Sequence, residues 1–330
     1  MKKYNVLIAG ATGLVGKTIL KVLEERKFPV NKILLCASNR IDERYLRFKE
    51  ENIQVQALDE IDFNEIDFSF FATEKEISLR YVPKALAAGN YVIDNSSAYR
   101  MDPAVPLVIP EANGDLIQKN NFIYANPNCS TAQLAAAVNP LHLKFGLERI
   151  TVTTLQAVSG SGLRGLAQLK SEREFHQPVD PVYPHRIYNN CIPQIGVFDG
   201  NGNCEEELKI ISEIKKILRL ENLIVAVTTV RVPVENGHSE SVLVEFKNPV
   251  DENSARQILA ASDNIILQDF PNESIYPIAL NSSGHDEVYV GRIRKVNGLP
   301  NALQFWVVAD NLRKGAASNA IQIAEQIIKL

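Results

Sequence analysis

The sequence predicts an α/β protein with two domains: a doubly wound parallel sheet, and then an α+β domain with a mixed sheet. Up to Tyr124, short apolar strands alternate with helical segments, which is the pattern of a parallel sheet covered on both faces. From Arg149 onward, strand-like segments alternate between apolar and polar residues, which indicates a sheet with one covered face. The length of 330 residues is enough for about two domains.

The composition narrows the classes of function. Hydrophobic residues make up 45% of the chain and charged residues 22%, as in an ordinary globular protein. A net charge of −4 gives no reason to expect nucleic acid or an anionic membrane as a partner. No apolar run approaches the roughly 18 residues that cross a bilayer, and the first residues lead into a strand instead of a signal peptide. We therefore expect a cytoplasmic protein that acts on a small molecule.

The cysteines show neither a metal-binding nor a disulfide pattern. They are Cys36, Cys129, Cys191 and Cys204. None belongs to a CxxC pair and no Cys/His group has zinc-finger spacing, so no metal is expected. A chain this long and this poor in cysteine is typical of a reducing compartment.

A glycine-rich turn near the start of the chain predicts a dinucleotide site. The apolar strand Val6–Ala9 is followed by Gly10–Gly16 and then by helical periodicity over Lys17–Glu25. This is the Rossmann-type fingerprint, here spaced GxxGxxG, in which glycines let backbone N–H groups approach a pyrophosphate at the helix N-terminus. The alternative is an ordinary glycine-rich turn without ligand, and the flanking strand and helix favour the cofactor.

The end of the second strand predicts which dinucleotide binds. Lys32–Ala37 reads as a strand and ends in Ser38, Asn39 and Arg40, where NAD sites usually carry an acidic residue. A guanidinium suits a 2′-phosphate, so we predict NADP over NAD. Pairing of Arg40 with the nearby Asp42 and Glu43 is the alternative.

The rest of the first domain continues the strand–helix alternation. Predicted strands lie at Asp67–Ala72 and Tyr91–Asp94, with a helix at Ile77–Ala88 between them. The polar loop that ends in Arg100 follows a strand, at the edge where open α/β sheets place ligands. Arg100 could bind an anion there, or it could be a solvated surface residue.

Cys129 is the candidate nucleophile. It follows the strand-like Phe122–Tyr124 and precedes the Ala-rich, helical Ala132–Val138, with Ser130 or Thr131 as candidate caps. The free amides of a helix N-terminus stabilise a thiolate, the nucleophilic form of cysteine. Taken by itself, this stretch favours the alternative of a buried, inert cysteine.

The second domain supplies other polar candidates. A small-residue loop follows a strand at Gln156–Gly162, and a long proline-rich loop runs from Gln177 to Gly202. The amphipathic helix Cys204–Leu220 places Glu206 and Lys209 on one face, as a substrate site or as a solvated ion pair. His238 lies in a Gly-containing connection between two strands, from which it can reach a site. Taken alone, a histidine is more often a structural hydrogen-bonding residue than a catalyst. A final helix is predicted to follow Asp310.

A cysteine and a histidine combined with a nicotinamide cofactor indicate one kind of chemistry. The thiolate attacks a carbonyl, a hydride is transferred, and a second nucleophile releases the acyl group, with the histidine as acid and base. Arg and Lys side chains would bind a carboxylate or phosphate on the substrate.

On these motifs the chain resembles the bacterial aspartate-β-semialdehyde dehydrogenase family. The most specific blocks are Asn126–Thr131, Gln156–Gly162, Arg231–Ser241 and Gly284–Arg294. The resemblance implies reductive dephosphorylation of aspartyl-4-phosphate to aspartate 4-semialdehyde through a thioester, in lysine, threonine, methionine and diaminopimelate biosynthesis. It implies a homodimer, with NADP(H) as cofactor and inorganic phosphate as co-substrate.

The resemblance also implies residue roles. Cys129 matches the nucleophile, His238 the acid/base and Gln156 the residue that orients the substrate. The matching substrate-binding positions are Arg100, Asn128, Glu206, Lys209 and Arg231. The matching cofactor positions are Gly10, Thr12, Gly13, Leu14, Val15, Ser38, Arg40, Ser159, Gly160 and Asn311. The implied domains are an NADP-binding domain of residues 1–128 with the helix 312–330, and a catalytic and dimerisation domain of residues 129–311.

Two other interpretations remain open at the level of sequence. One is a different phosphorylating dehydrogenase with the same thioester chemistry, such as the acetylglutamyl-phosphate or glyceraldehyde-phosphate enzymes. The Glu206/Lys209 pair and the spacing from Arg231 to His238 favour the semialdehyde dehydrogenase. The other is a binding protein that keeps the fold without catalysis, which has no need to retain Cys129 and His238.

Overall fold

The computed structural model describes residues 2–37, 44–177 and 180–330. Ser38 and Arg40, both predicted to bind the cofactor, lie outside the described residues. The chain forms two compact units, one made of Met1–Pro127 with Ala316–Leu330 and the other of Asn128–Gly315. Among the described residues, no helix combines the length and the hydropathy needed to cross a lipid bilayer.

The first unit alternates strands with helices, as the sequence predicts. Its strands are β1 (Tyr4–Ala9), β2 (Val30–Ala37), β3 (Tyr45–Phe48), β4 (Glu51–Ala57), β5 (Phe68–Phe71), β6 (Tyr91–Asp94) and β7 (Ile123–Ala125). Its first helices are α1 (Leu14–Glu25), α2 (Lys75–Ala87) and α3 (Pro110–Asn113). In the described residues the strand order is β3-β4-β2-β1-β5-β6-β7, parallel except for β3. The predicted doubly wound sheet is confirmed.

Apolar side chains cover both faces of this sheet. On one face, Val6 and Ile8 of β1 pack with Ile19 of α1 in one cluster. On the other face, Leu7 of β1 packs with Val82 of α2 in a second cluster. Burial on both sides explains the continuous apolar runs of the strands.

The β3–β4 hairpin is an element that the sequence interpretation missed. It lies at the edge of the sheet, and Tyr45 is 59% exposed. The two strands join at Lys49, whose φ of 54° is left-handed. An edge hairpin buries little apolar surface, so its residues carry no clear period of two.

The second unit holds a mixed sheet. Its helices are α4 (Cys129–Phe145), α5 (Gly162–Arg173), α6 (Glu205–Leu218), α7 (Glu252–Ala260) and α8 (Ala279–Ser282). Its strands are β8 (Leu147–Gln156), β9 (Ile224–Arg231), β10 (His238–Phe246), β11 (Ile265–Leu267), β12 (Val288–Val296) and β13 (Leu299–Ala309). Over the described part of the chain, the order is β11-β12-β13-β10-β8-β9, with parallel pairs at both ends.

One face of the mixed sheet is covered by α4, α6 and α7. The predicted alternation along β8 is confirmed, because Ile150 and Val152 are buried whereas Thr151 and Thr153 are exposed. The opposite face of the sheet, which we call the outer face, therefore carries polar and half-exposed side chains.

The last segment of the chain returns to the first unit. The sequence predicts a helix starting right after Asp310, but a π-helical turn occupies Arg313–Ala317 and the regular helix α9 spans Ser318–Ile327. Ile321 and Ile323 of α9 join the cluster that contains Val6. Arg26, at the end of α1, pairs with Glu325 at 2.6 Å.

Candidate active site

Cys129 is the first residue of α4, so the predicted helix start is confirmed. The cap is Asn128, whose Oδ1 accepts hydrogen bonds from the N–H groups of Ser130 (3.0 Å) and Thr131 (3.2 Å). The prediction that Ser130 or Thr131 caps the helix is therefore wrong, because their amides are the donors that Asn128 satisfies. Cys129 is half-buried, which leaves its thiol within reach of a ligand.

Two carboxylates of α6 hold Asn128. Its side-chain Nδ2 donates to Glu206 Oε1 at 2.7 Å, and its backbone N–H donates to Glu213 Oε2 at 2.6 Å. Glu206 is 7% exposed and Glu213 1%. Residues seven apart lie on the same face of a helix, so both carboxylates point toward the start of α4.

The ends of β8 and β9 bring Gln156 and Arg231 side by side, since they are register partners in this parallel pair. Gln156 Nε2 donates to Glu206 Oε1 at 3.1 Å, so that oxygen accepts from both Asn128 and Gln156. Arg231 donates from Nη1 to the carbonyl of Ala157 at 2.6 Å. Arg231 Nε is buried and has no hydrogen-bond partner among the described residues. The guanidinium thus keeps donor capacity for a ligand.

His238 is the first residue of β10, opposite Ala309 of β13, and not a loop residue as the sequence predicts. Its Nδ1 accepts a hydrogen bond from the backbone N–H of Ala157 at 3.0 Å. A neutral imidazole that accepts at Nδ1 carries its hydrogen on Nε2. That Nε2 is buried and has no partner within the described part of the chain. Burial, with a further contribution from Arg231, lowers the pKa of His238 well below its usual range. His238 is therefore a neutral hydrogen-bond donor.

The side chains of His238 and Arg231 both lie against Gly160. A Cβ at position 160 would lie 2.7 Å from Arg231 Nη1 and 3.3 Å from His238 Nε2. A side chain there would displace both groups. Arg231 also lines a cavity of about 460 Å³ whose walls include Tyr183 and Gln194. The long loop predicted at Gln177–Gly202 contributes most of this wall, as a functional loop should.

Ser159 and Asn311, both predicted to bind the cofactor, hydrogen-bond to each other. Asn311 Nδ2 lies 2.9 Å from Ser159 Oγ. Asn311 Oδ1 also accepts from the N–H of Gly237 at 2.9 Å. This network fixes the connection that leads directly into His238.

Lys209 pairs with a different carboxylate than the sequence interpretation assumed. Its Nζ lies 2.6 Å from Glu205 Oε1, in a pair whose side chains are 29% and 50% exposed. Glu206, the predicted neighbour on the same face, is instead committed to Asn128 and Gln156. Ion pairs this exposed contribute little stability, so Lys209 can exchange Glu205 for an anionic ligand at small cost.

The glycine turn of the first unit fits a dinucleotide pyrophosphate. Gly10 has φ of 83°, and a Cβ there would lie 2.2 Å from the carbonyl oxygen of Ala72. Thr12 lies in the turn, Gly13 is the cap, and Leu14 and Val15 begin α1. Among the described residues, no side chain caps α1 and no acidic residue lies in its first turn. The helix N-terminus is thus open to an anion.

Arg100 is buried within the first unit and holds backbone there. Its Nε donates to the carbonyl of Asn126 at 2.9 Å and its Nη2 to that of Asn95 at 2.7 Å. The interpretation of Arg100 as a solvated surface residue is therefore wrong.

The sequence interpretation missed a buried carboxyl beside His238. Glu240 is two residues further along β10, fully buried, and neither of its oxygens has a hydrogen-bond partner in the described residues. Gln133, one turn after Cys129, faces it and donates to the His238 carbonyl at 3.4 Å. Burial raises the pKa of Glu240 well above its usual range. A period of two places Glu240 on the covered face of β10, but the sequence interpretation did not use this pattern to identify the buried carboxyl.

Glu240 makes folding stability pH-dependent. Because its pKa is higher in the folded than in the unfolded chain, the folded state binds more protons above pH 4.5, and stability falls as pH rises through the folded pKa. The glutamine of Glu240→Gln cannot titrate. Above pH 4.5, the free energy of unfolding of this variant should therefore rise relative to that of the wild type, by up to about 1.4 kcal/mol per pH unit. Urea unfolding at several pH values measures this difference.

Glu245→Gln, on the opposite face of the same strand, controls for the loss of a carboxylate from β10. Contributions of His238 are common to wild type and variant and cancel in the difference. A difference between Glu240→Gln and wild type that stays constant between pH 5 and 8 would show that Glu240 is ionised in the folded state.

Two protein-family models match this chain. The model "Semialdehyde dehydrogenase, NAD binding domain" matches residues 5–120, and "Semialdehyde dehydrogenase, dimerisation domain" matches residues 138–314. An aspartate-semialdehyde dehydrogenase of Aquifex aeolicus is 45% identical over 99% of this chain and 98% of the relative. The chain belongs to the aspartate-semialdehyde dehydrogenase family.

Solved structures agree with this assignment. Aspartate semialdehyde dehydrogenase II from Vibrio cholerae, complexed with ASA, superposes with a TM-score of 0.96 at 40% identity and covers 100% of this chain and 99% of that one. The enzyme from Candida albicans, solved with NADP, superposes with a TM-score of 0.79 at 27% identity over 99% of both chains. The predicted α/β fold with a mixed-sheet second domain is confirmed. The prediction of an oxidoreductase acting on an aldehyde is confirmed as well.

Proposed function

We propose that the chain reduces L-aspartyl-4-phosphate to L-aspartate 4-semialdehyde with NADPH, releasing phosphate, in the biosynthesis of lysine, threonine, methionine and diaminopimelate. The observation that carries the proposal is the hydrogen-bonded cluster at the start of α4. Asn128, which caps the helix of Cys129, shares the Glu206 carboxylate with Gln156. One set of contacts therefore fixes the nucleophile and the groups suited to an amino-acid substrate.

The charges of the site suit a zwitterionic substrate. The Glu206 carboxylate can accept the substrate ammonium, and the Arg231 guanidinium, which lines the cavity, can bind the substrate carboxylate. Arg100 and Lys209 are proposed for the phosphate. To bind Lys209, the phosphate must replace Glu205 as its partner.

Cys129 reacts as the thiolate, which the amides at the start of α4 stabilise. Its sulfur attacks the acyl carbon of the substrate. A carbon–sulfur bond forms, the bond from carbon to the phosphate oxygen breaks, and phosphate leaves with the electron pair. The product of this step is a thioester on Cys129.

His238 stabilises the negative charge on the reacting oxygen. As a neutral Nε2–H donor, it can hydrogen-bond to the carbonyl oxygen when negative charge develops there. The bound cofactor supplies the hydride that reduces the thioester. The Nε2–H of His238 hydrogen-bonds to the resulting alkoxide, which collapses to the aldehyde as the carbon–sulfur bond breaks and the Cys129 thiolate leaves.

The cofactor positions are proposed from the family resemblance, residue by residue. Gly10, Thr12, Gly13, Leu14 and Val15 would hold the pyrophosphate at the start of α1. Ser159, Gly160 and Asn311 are proposed for the nicotinamide half. Preference for NADP rests on Arg40 in the sequence and on the NADP in the related Candida albicans enzyme.

The outer face of the mixed sheet is proposed as the homodimer interface. It lies in the part of the chain that matches the dimerisation-domain model, and Thr151, Thr153 and Ile224 are exposed there. The half-exposed Trp306 adds aromatic surface of the kind enriched at interfaces. Sedimentation velocity should give twice the mass of one chain, and a monomer at micromolar concentration would contradict the proposal.

The function is tested by following NADP reduction in the presence of phosphate. Aspartate semialdehyde should be preferred over N-acetylglutamate semialdehyde and glyceraldehyde 3-phosphate by at least about 10²-fold in kcat/KM, because Glu206 would have no ammonium to bind in the rivals. Omitting phosphate should stop turnover, and NAD should be the poorer acceptor. Equal or faster oxidation of N-acetylglutamate semialdehyde would assign the chain to the rival reaction.

A further inference from the structure

Glu213 holds the residue before the nucleophile but is absent from the predicted site. Its Oε2 accepts the backbone N–H of Asn128 at 2.6 Å, the short distance of a charge-assisted hydrogen bond. The side chain is 1% exposed, so the contact is shielded from water. A carboxylate this deeply buried is costly unless hydrogen bonds compensate, and the short bond from the Asn128 peptide is one that does so.

The bond from Glu213 complements the one from Glu206. Glu206 fixes the side chain of Asn128, and Glu213 fixes its backbone. The Oδ1 atom of Asn128 is meanwhile committed to the first turn of α4. The orientation of the peptide entering the helix is thereby set from α6, immediately before Cys129.

We propose that Glu213 is a positioning residue for Cys129. It holds Asn128 in the orientation in which the first-turn amides of α4 remain ordered around the sulfur, so that the thiolate forms and points at the substrate. The inference rests on the proposed role of Cys129 as nucleophile. Without the acceptor at position 213, the cap is held by Glu206 only through a side chain, and the first turn of α4 loosens.

Glu207 provides a matched control on the same helix. It is also buried, and its carboxylate accepts two backbone N–H groups, those of Cys204 at 2.8 Å and Thr229 at 2.9 Å. These bonds cap α6 and tie it to β9. A variant at Glu207 therefore measures loss of a buried carboxylate from α6 without loss of the Asn128 contact.

The experiment compares Glu213→Gln, which keeps an acceptor oxygen, with Glu213→Ala, which removes it. Alkylation of Cys129 by iodoacetamide, measured across pH by peptide mass spectrometry, gives the pH midpoint of thiolate formation. In Glu213→Ala the midpoint should lie about 0.5–1 pH unit above that in Glu213→Gln, because loss of one buried hydrogen bond costs roughly that much. The kcat of Glu213→Ala should fall about 10–100-fold with KM changed less than about threefold, and Glu213→Gln should keep most of the activity.

Glu207→Ala should lower the unfolding temperature and leave the alkylation midpoint of Cys129 unchanged. The proposal is overturned if Glu213→Ala and Glu213→Gln have the same midpoint and kcat, or if Glu207→Ala moves the midpoint as far as Glu213→Ala does. If Glu213→Ala does not fold, Glu213→Asp replaces it, because the shorter side chain withdraws the acceptor while keeping the charge. A Cys129 alkylation midpoint in Glu213→Asp equal to that of the wild type would overturn the proposal. Alkylation needs no turnover, so its outcome is independent of whether Cys129 proves to be the nucleophile.

Discussion

Replacing Cys129 with serine is expected to lower kcat by about 10⁴–10⁶-fold, the range for loss of a covalent nucleophile. Serine is nearly the same size, and the Asn128 cap bonds to the amides of Ser130 and Thr131, so the start of α4 should stay intact. The loss would then come from chemistry, because an alcohol is not ionised near neutral pH even at a helix N-terminus. Steady-state assays measure it, together with intact-protein mass after acid quench, which should show an acyl adduct in the wild type and none in the variant.

Cys191→Ser is the matched control, since Cys191 is the exposed cysteine of the described residues. It should retain wild-type kcat and the acyl adduct. An adduct that survives in Cys129→Ser but disappears in Cys191→Ser would move the nucleophile to the long loop. If Cys129→Ser turned over at more than about a hundredth of the wild-type rate, a thioester on Cys129 would not be an obligatory intermediate.

His238→Asn is expected to lower kcat by about 10²–10³-fold, as for removal of a hydrogen-bond donor to the reacting oxygen. An Asn side-chain oxygen can still accept the N–H of Ala157, which His238 Nδ1 accepts at 3.0 Å. The shorter side chain removes the group at the Nε2 position. His238→Gln is the companion variant, because its Nε2 can donate a hydrogen bond there without transferring a proton, and it should be impaired less. Activity of His238→Asn within tenfold of the wild type would contradict the role.

The acid side of the pH profile supplies a second test of His238. Catalysis requires the neutral imidazole, whose pKa burial lowers well below 6.5. As pH falls, kcat/KM should therefore drop through the pH midpoint of the Cys129 thiolate, which alkylation measures separately, and should show no further limb near 6.5 from His238. A limb near 6.5 that is absent from the alkylation profile of Cys129 would show that His238 is protonated more readily than its burial allows.

Features formed within one short stretch of chain could be predicted from the sequence. The strand, glycine turn and helix at Val6–Glu25 are one such feature, and Cys129 at a helix start is another. Their signals are local, namely apolar periodicity and special backbone conformation. The predicted cap was wrong because Asn128, Ser130 and Thr131 are all good capping residues. Only the geometry of the turn shows which of them is the cap.

Features that depend on packing between distant segments could not be predicted. His238 begins a strand because Ala309, more than seventy residues away, is its register partner. Glu213 acts on Asn128 because α6 packs against α4. In the sequence, Glu213 is one glutamate among several on a charged helix, and nothing distinguishes it from a solvated one.

The return of α9 to the first unit has a consequence for biosynthesis of the protein. The ribosome makes residues 1–127 before the second unit, yet Ile321, Ile323 and Ile327 complete the apolar cluster around Val6 and Ile8. During translation, the nascent sheet therefore exposes an apolar surface on that face while the entire second unit is being made. The first unit closes its core only after the second unit has been made, so a chaperone that shields apolar surface would act on it during that interval.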